Sequence, residues 1–518
     1  MRTLLIGLLA CSCALTQQTV YVTNAAYRFN GSSIAPGSLI ELDYVGAASG
    51  SGSPPQITGV RIQPQGSNQT FDAQLVNPNS YYTLAVVPGT VPAGPATASL
   101  VFQGGATISA PVTVAPVAVG VFSVSGGGIG PAAAQNNEPD SQPSLNQLTN
   151  PALPGQYVTL WATGLGALTT LDVSVNISGI TVPASFAGPA PGIAGVNQIN
   201  FQLPGDFATG CYTPVSVTAG NSVSNTVTIA TSTSGPCAHP LGLSVGQMKA
   251  LDNGSSIRLG MISFHADVLA PQPGVAGAYT RSESIQASFD IRNAYLVFLM
   301  SQTRNGGPAC YLGNPLSLTT AFVTGGLTPP AGPSLTATDA SGNALSLTAN
   351  LFGDYSTQLT APPPAATSAQ LPPPVLLPGP WQITVPGGPV IGAFQQSYAL
   401  PPQIRWINRE SLTTISRPAD VPLIWNPDGY SADDVVTAIL LAGSGALSCT
   451  APATAGQLTM PAALLQQMPP SADRQAGYLM LTVAPKSPTI FGIPVIGSLD
   501  APLLFEYSFG DSRTVGVQ

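Results

Sequence analysis

Tyr157–Ala162 reads YVTLWA, Cys211–Thr218 reads CYTPVSVT and Ser224–Ala230 reads SNTVTIA. Each stretch alternates in polarity and is bounded by Gly, Pro, Asn or Ser, which is typical of short antiparallel strands joined by turns. Helical periodicity is weak along the chain, and the best candidate is Pro461–Met468 (PAALLQQM), with Pro in the first turn. We therefore predict an all-β fold.

The composition indicates a folded chain that does not bind nucleic acid. Charged residues make up 7% of the 518 residues and hydrophobic residues 44%, which is enough to build cores. Lysine occurs only at Lys249 and Lys486, and the net charge is −8. A nucleic acid or an anionic membrane surface would require clustered Lys and Arg. We therefore expect neither partner.

The first residues have the layout of a bacterial export signal, which we assign to residues 1–17. A short basic start precedes the apolar run Leu4–Ala10 and a group of small residues. Leu8–Cys11 resembles a lipobox, which would leave Cys11 lipidated, whereas cleavage after Ala14 would release a free protein. Both routes stay open. No later run approaches the ~18 apolar residues of a membrane-spanning helix, so we predict no transmembrane segment.

Four cysteines remain after the export signal. An even number in an exported protein favours disulfides over metal ligation. Cys211 and Cys237 flank two strand-like stretches, and we expect them to pair. Cys310 and Cys449 are then left to each other by elimination, or they stay as two free buried thiols. With two histidines in the whole chain, a zinc site is hard to assemble, and we expect no metal or cofactor.

Turn spacing and composition divide the chain into consecutive segments. Several short strands per segment favour β-sandwiches with immunoglobulin-like architecture. The polar stretch Ala134–Thr149 is expected to be mobile, and two Pro triplets predict an extended connector. The predicted segments are a first sandwich at 18–116, a second at 117–236, a third at 240–361, a Pro-rich connector at 362–397 and a C-terminal sandwich at 398–518.

Several motifs of the first two sandwiches resemble a known family. They are Asn24-Ala25-Ala26, Ile34–Ser38, Asn150–Ala152 with Pro154-Gly155, Ala162–Gly166, Pro191-Gly192, Gly195, Asn197–Pro204 and Ser224–Val227. Together they resemble the Solibacter-type C-terminal domain family of exported acidobacterial proteins, and the Cys211–Cys237 pair is similar to one found in its members. Residues 398–518 resemble a module seen in similar proteins, and the motifs that carry this resemblance are Ile404-Arg405-Trp406, Trp425, Cys449–Pro452 and Ala455–Pro461. The resemblance implies export and an immunoglobulin-like fold, and it implies no catalytic residues.

Hydrolysis is the function with the least support from the sequence. His265 lies in a strand-like run and His239 in a linker, and no Ser stands in a nucleophile elbow. A hydrolase site would have to lie in 240–395, where His265 and Asp290 are the candidates for catalysis. Paired carboxylates could serve glycoside hydrolysis, and the candidate pairs are Asp267 with Asp290 and Asp433 with Asp434. Roles in turns and at strand edges are the default interpretation of these residues. We expect the protein not to be an enzyme.

Aromatic side chains offer a second possibility, because their faces can stack on sugars. Trp381 and Trp425 are the candidates for ligand stacking, and Trp406 and Tyr430 lie near them in the sequence; core filling is the competing interpretation. We predict an exported, non-catalytic protein with a structural, adhesive or cell-surface role. The alternative is an extracellular carbohydrate-binding protein. The expected partner is a protein or polysaccharide of the cell envelope, and the expected location is secreted or cell-surface.

Overall fold

The chain is an all-β protein, as the sequence predicts, and it forms tandem β domains. A computed structural model describes residues 19–27, 33–45, 56–78, 82–138, 142–168, 170–207, 209–271, 278–301, 310–312, 330–351, 353–359, 371–442, 445–471, 477–497 and 500–518. The chain divides into two compact units, which meet between His239 and Pro240. Residues 1–18, with the predicted export signal and Cys11, lie outside the described part.

The first sandwich forms where the predicted segment 18–116 lies. Its strands follow the order β1-β2-β5-β4-β3-β6-β7, and residues from both ends of this order share one core. Ile40, Leu42, Ile62 and Leu100 are among its fully buried residues. The strands are β1 (Thr19–Asn24), β2 (Leu39–Val45), β3 (Ile57–Pro64), β4 (Phe71–Pro78), β5 (Tyr82–Val86), β6 (Gly94–Phe102) and β7 (Thr107–Val114).

The second sandwich has a separate core between two sheets. One sheet runs β10-β9-β11-β15-β14 with β8 beside β11, and the other runs β13-β12-β16-β17 with β18 beside β16. The described residues of the predicted mobile stretch Ala134–Thr149 contain β9 and β10, which pair with each other, and β9 also pairs with β11. For these residues the prediction of mobility is wrong. The strands are β8 (Gly120–Val121), β9 (Ala134–Asn137), β10 (Ser144–Leu145), β11 (Tyr157–Thr163), β12 (Val173–Ile177), β13 (Ile180–Pro183), β14 (Phe186–Pro189), β15 (Asn197–Gln202), β16 (Gly210–Ala219), β17 (Ser222–Val223) and β18 (Val227–Thr231).

Among its described residues, the second unit has three short α-helices beside its strands. Helix α1 begins with a capping box formed by Ser244 and Gln247, and α3 lies within the predicted helix Pro461–Met468. The elements are α1 (Val245–Asp252), β19 (Ile257–Leu269), β20 (Thr280–Arg292), α2 (Ala294–Ser301), β21 (Cys310–Leu312), β22 (Ser334–Thr338), β23 (Ala344–Ala349), β24 (Tyr355–Gln358), β25 (Gly379–Val385), β26 (Phe394–Leu400), β27 (Thr414–Ile415), β28 (Val421–Ile424), β29 (Asp434–Ala442), β30 (Gly445–Pro452), β31 (Gln457–Met460), α3 (Ala462–Leu465), β32 (Gly477–Pro485), β33 (Thr489–Ile493) and β34 (Ala501–Val517).

The second unit is not divided as the sequence predicts. One 14-stranded sheet connects the predicted third sandwich, 240–361, to the predicted C-terminal sandwich, 398–518. Strand β34 joins them because it pairs in parallel with β19 and antiparallel with β32. The predicted connector, 362–397, contains β25 and most of β26. The described Pro triplet, residues 372–374, precedes the alternating strand β25, and Trp381 in that strand is buried in the shared core.

Two disulfides lie in the two units. Cys211 bonds to Cys237 and Cys310 bonds to Cys449. In the second pair the two residues stand directly opposite each other on β21 and β30. Among the described residues, we find no helix long and apolar enough to span a bilayer.

Candidate functional site

The tryptophans proposed to stack on ligands are core residues. Trp425 is 1% exposed and Trp381 is 2% exposed, and Trp406 is also buried. The indole N–H of Trp425 donates to the carbonyl of Ala453 at 2.7 Å, and that of Trp381 donates to Leu377 at 3.0 Å. The prediction that Trp381 and Trp425 present faces to a sugar is therefore wrong, because each ring is enclosed by the hydrophobic core of the second unit.

The residues proposed for hydrolysis do not converge. Asp290 pairs with Leu259 across β19 and β20, and His265 lies six positions further along β19. At about 3.3 Å per residue this separates them by about 20 Å along the strand. Asp290 instead forms an ion pair with Arg292 at 2.5 Å, and burial raises its pKa. Burial also raises the pKa of Asp267 to about 6.

The other titratable candidates have structural partners. Asp434 is buried and accepts hydrogen bonds from the Ser431 amide at 2.6 Å, the Ser431 hydroxyl at 2.9 Å and the Tyr507 hydroxyl, whereas Asp433 is exposed. His239 is 8% exposed and shares a hydrogen bond with the Tyr212 hydroxyl at 3.0 Å. Burial lowers the pKa of His239 to about 4, so its ring is neutral at pH 7.

Some of the motifs that carry the family resemblance come together within the first unit, at the junction between the first and second sandwiches. Asn150–Ala152 and Gly155 instead bond within the second sandwich. Thr163, at the end of β11, is fully buried. Its hydroxyl accepts a hydrogen bond from the Leu39 amide of the first sandwich at 2.8 Å and donates to the Gly195 carbonyl of the second at 2.6 Å. One hydroxyl therefore connects three segments.

A second buried polar residue crosses the same junction from the other side. Asn24, at the end of β1, has no exposed surface. Its side-chain amide donates to the Ala118 carbonyl at 2.8 Å, and its Oδ1 accepts from the Ala26 amide at 2.9 Å. Ala118 in turn donates its backbone N–H to the Gly164 carbonyl at 2.9 Å. The segment between the sandwiches is thus bonded to both of them.

The glycines of the junction allow the backbones to approach closely. Gly164 has φ +85°, and a Cβ there would lie 2.0 Å from the Ala118 carbonyl oxygen. Gly166 has φ +61°, and a Cβ there would lie 2.0 Å from the oxygen of Pro116. Only Gly tolerates both the positive φ and the contact. The sequence shows these glycines only as part of the motif Ala162–Gly166, and it does not reveal the backbone contacts that they allow at the junction.

A cleft of about 420 Å³ opens beside the junction. Pro36 and Gly37 line one side, and the segment Pro189–Asn197 lines much of the rest. Among these described residues the single polar side chain is Asn197, whose Oδ1 already accepts the Leu165 amide at 3.1 Å. The cleft therefore supplies no nucleophile, acid or base.

Comparisons with known proteins do not assign the chain to a family. No family model and no curated protein matches the chain. Similar solved structures include the Bacteroides ovatus mixed-linkage glucan utilization locus protein SGBP-B in complex with a mixed-linkage heptasaccharide, at 18% identity and a TM-score of 0.21, covering 38% of this chain and 45% of that one. Domains 4–9 of the surface layer protein SbsC are 12% identical with a TM-score of 0.22, covering 96% and 65%. A Ca²⁺-stabilised adhesin of an Antarctic bacterium that binds ice is 12% identical with a TM-score of 0.13, covering 96% and 99%. At these identities and TM-scores, none of these structures indicates a role for this chain.

Proposed function

We propose that the chain is an exported, non-catalytic protein of the cell surface, in which the first unit is a stiff pair of sandwiches with a structural or adhesive role. The observation that carries the proposal is the junction. Side chains of Thr163 and Asn24, both fully buried, bridge the two sandwiches, and glycines bring the backbones into contact. A flexible tether between domains would contain few such contacts.

Export is supported by two further observations. The disulfides Cys211–Cys237 and Cys310–Cys449 form and persist in oxidising compartments. The first residues also have the layout of an export signal. Membership of the Solibacter-type family, which would agree with export, stays a prediction. Mass spectrometry of the mature N-terminus tests the export signal and Cys11 lipidation, and protease treatment of intact cells tests surface exposure.

Stiffness can be measured as a distance between the sandwiches. Val76 and Val223 are 49% and 65% exposed, one on each sandwich, and suit spin labels introduced as Val76→Cys and Val223→Cys. The four described cysteines are oxidised and do not take the label. We expect one narrow distance distribution from pulsed electron paramagnetic resonance on the full chain.

A pair of glycine variants makes this measurement specific. Gly164→Ala places a Cβ against Ala118 and should broaden or shift the distribution. Gly179→Ala is the matched control, since Gly179 also has positive φ, +90°, but has open space around it. Both variants carry the same backbone strain, so the control should retain the narrow distribution. A broad distribution in the parent protein would contradict a stiff pair.

A further inference from the structure

The outer face of one sheet in the second sandwich has the chemistry of a binding surface. In the sheet β10-β9-β11-β15-β14, strand alternation directs Leu160, Ile199 and Phe201 into the core, where all three are fully buried. The residues between them point to the opposite face. Tyr157 is 43% exposed and Phe186 is 40% exposed there. We call this surface the outer face.

Three aromatic rings occupy the outer face. Trp161 is partly exposed, although both its neighbours in β11 are fully buried. Tyr157 precedes it by four positions on the same strand, which places the two about 13 Å apart. Phe186 lies against Gly188, with its Cζ 3.2 Å from where a Cβ on that glycine would stand. Gly188 is in register with Gln198, and Gln198 with Trp161, so the Phe186 ring lies two strands, about 10 Å, from the indole.

Neutral polar side chains fill the space between the rings and are held in place by one another. The Asn137 amide donates to the Thr159 hydroxyl at 2.9 Å, and that hydroxyl donates to Asn200 Oδ1 at 2.8 Å. Gln198 Nε2 donates to the same oxygen at 3.0 Å. Within the described part of the chain, no donor bonds to Asn137 Oδ1 or Gln198 Oε1, and Asn200 Nδ2 donates to no acceptor. They are fixed acceptors and a fixed donor available to a ligand.

We propose that the outer face binds a neutral polysaccharide. Aromatic rings offer apolar faces to the C–H faces of pyranose rings, and the oriented amides match sugar hydroxyls, which both donate and accept. None of the named side chains on this face is charged, and Glu138 at its rim accepts a hydrogen bond from Gln156. An anionic chain would find no cation among the described side chains named on this face. The spread of the rings along and across the strands suits an extended polymer better than a single sugar.

The proposal does not depend on the stiff junction, because the outer face belongs to the second sandwich alone. Thr163→Val or Gly164→Ala should alter the junction and leave binding unchanged. Failure of either proposal is therefore distinguishable from failure of the other.

The test is native affinity electrophoresis of the full chain in gels containing one polysaccharide each. The probes are hydroxyethyl cellulose, xyloglucan, galactomannan and dextran, with polygalacturonate as the anionic comparison. We expect retardation by at least one neutral probe. Tyr157→Ala and Phe186→Ala, both at exposed positions, should each raise the Kd by about tenfold or more, which is about 1.4 kcal/mol. Trp161→Ala should abolish retardation, and thermal melting checks that each variant is folded.

Two controls sharpen the result. Val223→Ala removes an exposed apolar side chain, 65% exposed, from the other sheet of the same sandwich and should bind like the parent. Raising the ionic strength from about 0.05 to about 0.5 M should leave the affinity unchanged, because screening acts on charges and none of the side chains named as ligand contacts is charged.

The proposal is overturned if none of the four neutral probes retards the chain, or if Tyr157→Ala and Phe186→Ala bind as the parent does. It is also overturned if polygalacturonate alone binds. Sedimentation of the full chain measures its oligomeric state and so tests the alternative that a second copy of the chain binds the outer face. A dimer that dissociates in both Tyr157→Ala and Phe186→Ala, without any glycan binding, would make the outer face a self-association surface instead.

Discussion

Replacement of Thr163 by Val tests whether the two sandwiches of the first unit stabilise each other. Valine has nearly the same shape but lacks the hydroxyl. The variant leaves the Leu39 amide without its acceptor at a site where Leu39 is 8% exposed, and an unpaired buried donor costs about 1–3 kcal/mol. The Gly195 carbonyl is only partly buried, so water can replace the lost donor and the added cost there is below about 1 kcal/mol. The expected loss is about 1–4 kcal/mol.

Thr163→Ser is the matched variant, because it keeps both hydrogen bonds and removes one methyl group, at a cost of about 1 kcal/mol. Hydrogen exchange of the full chain, followed by mass spectrometry of peptides covering Leu39, measures the local free energy of opening. We expect faster exchange at Leu39 in Thr163→Val than in Thr163→Ser. If the two variants exchange equally, the hydroxyl does not hold the sandwiches together and our account of the junction is wrong.

Two other expectations concern the disulfides and pH. The Cys310–Cys449 bond closes a sequence separation of 139 residues and the Cys211–Cys237 bond one of 26. In the chain-entropy model these bonds stabilise their units by about 5 and about 3.5 kcal/mol, respectively. Replacing both cysteines of a bond by Ala should therefore lower the free energy of urea unfolding more for Cys310–Cys449, and the reverse order would count against a purely entropic origin. The folded pKa of Asp267, about 6, lies above its unfolded value of 3.8, so the folded chain binds the extra proton and stability falls as pH rises from about 4 to about 6. Asp267→Asn should reduce that slope in melting experiments, and an unchanged slope would show that other carboxyls cause it.

The sequence predicts the strands well because their information is local. YVTLWA, CYTPVSVT and SNTVTIA each lie within or overlap observed strands of the second sandwich, since alternation and turn residues act over a few positions. The division of the second unit is wrong for the opposite reason. Gly260 pairs with Leu503, and no local pattern in either strand specifies a partner that distant.

Local sequence patterns also fail to predict which residues form the candidate sites. Alternation places Trp161 opposite Leu160 but does not say which of the two faces is the core. A tryptophan favours the interior on hydrophobicity, yet here it lies on the outer face while Trp381 and Trp425 fill the core of the second unit. The bond from Leu39 to Thr163 spans 124 residues, so the role of that threonine is visible only once both sandwiches are placed.

The position of β34 also has a consequence for biosynthesis. Residues 501–517 lie inside the sheet of the second unit, between β32 and β19. Until the ribosome has made this segment, β19 and β32 each lack a neighbour and keep open edges. The first unit, residues 1–239, is a separate compact unit and is synthesised earlier. The second unit can complete its sheet only after residues 501–517 have been made, and premature termination before residue 501 should give a product prone to aggregate through those edges.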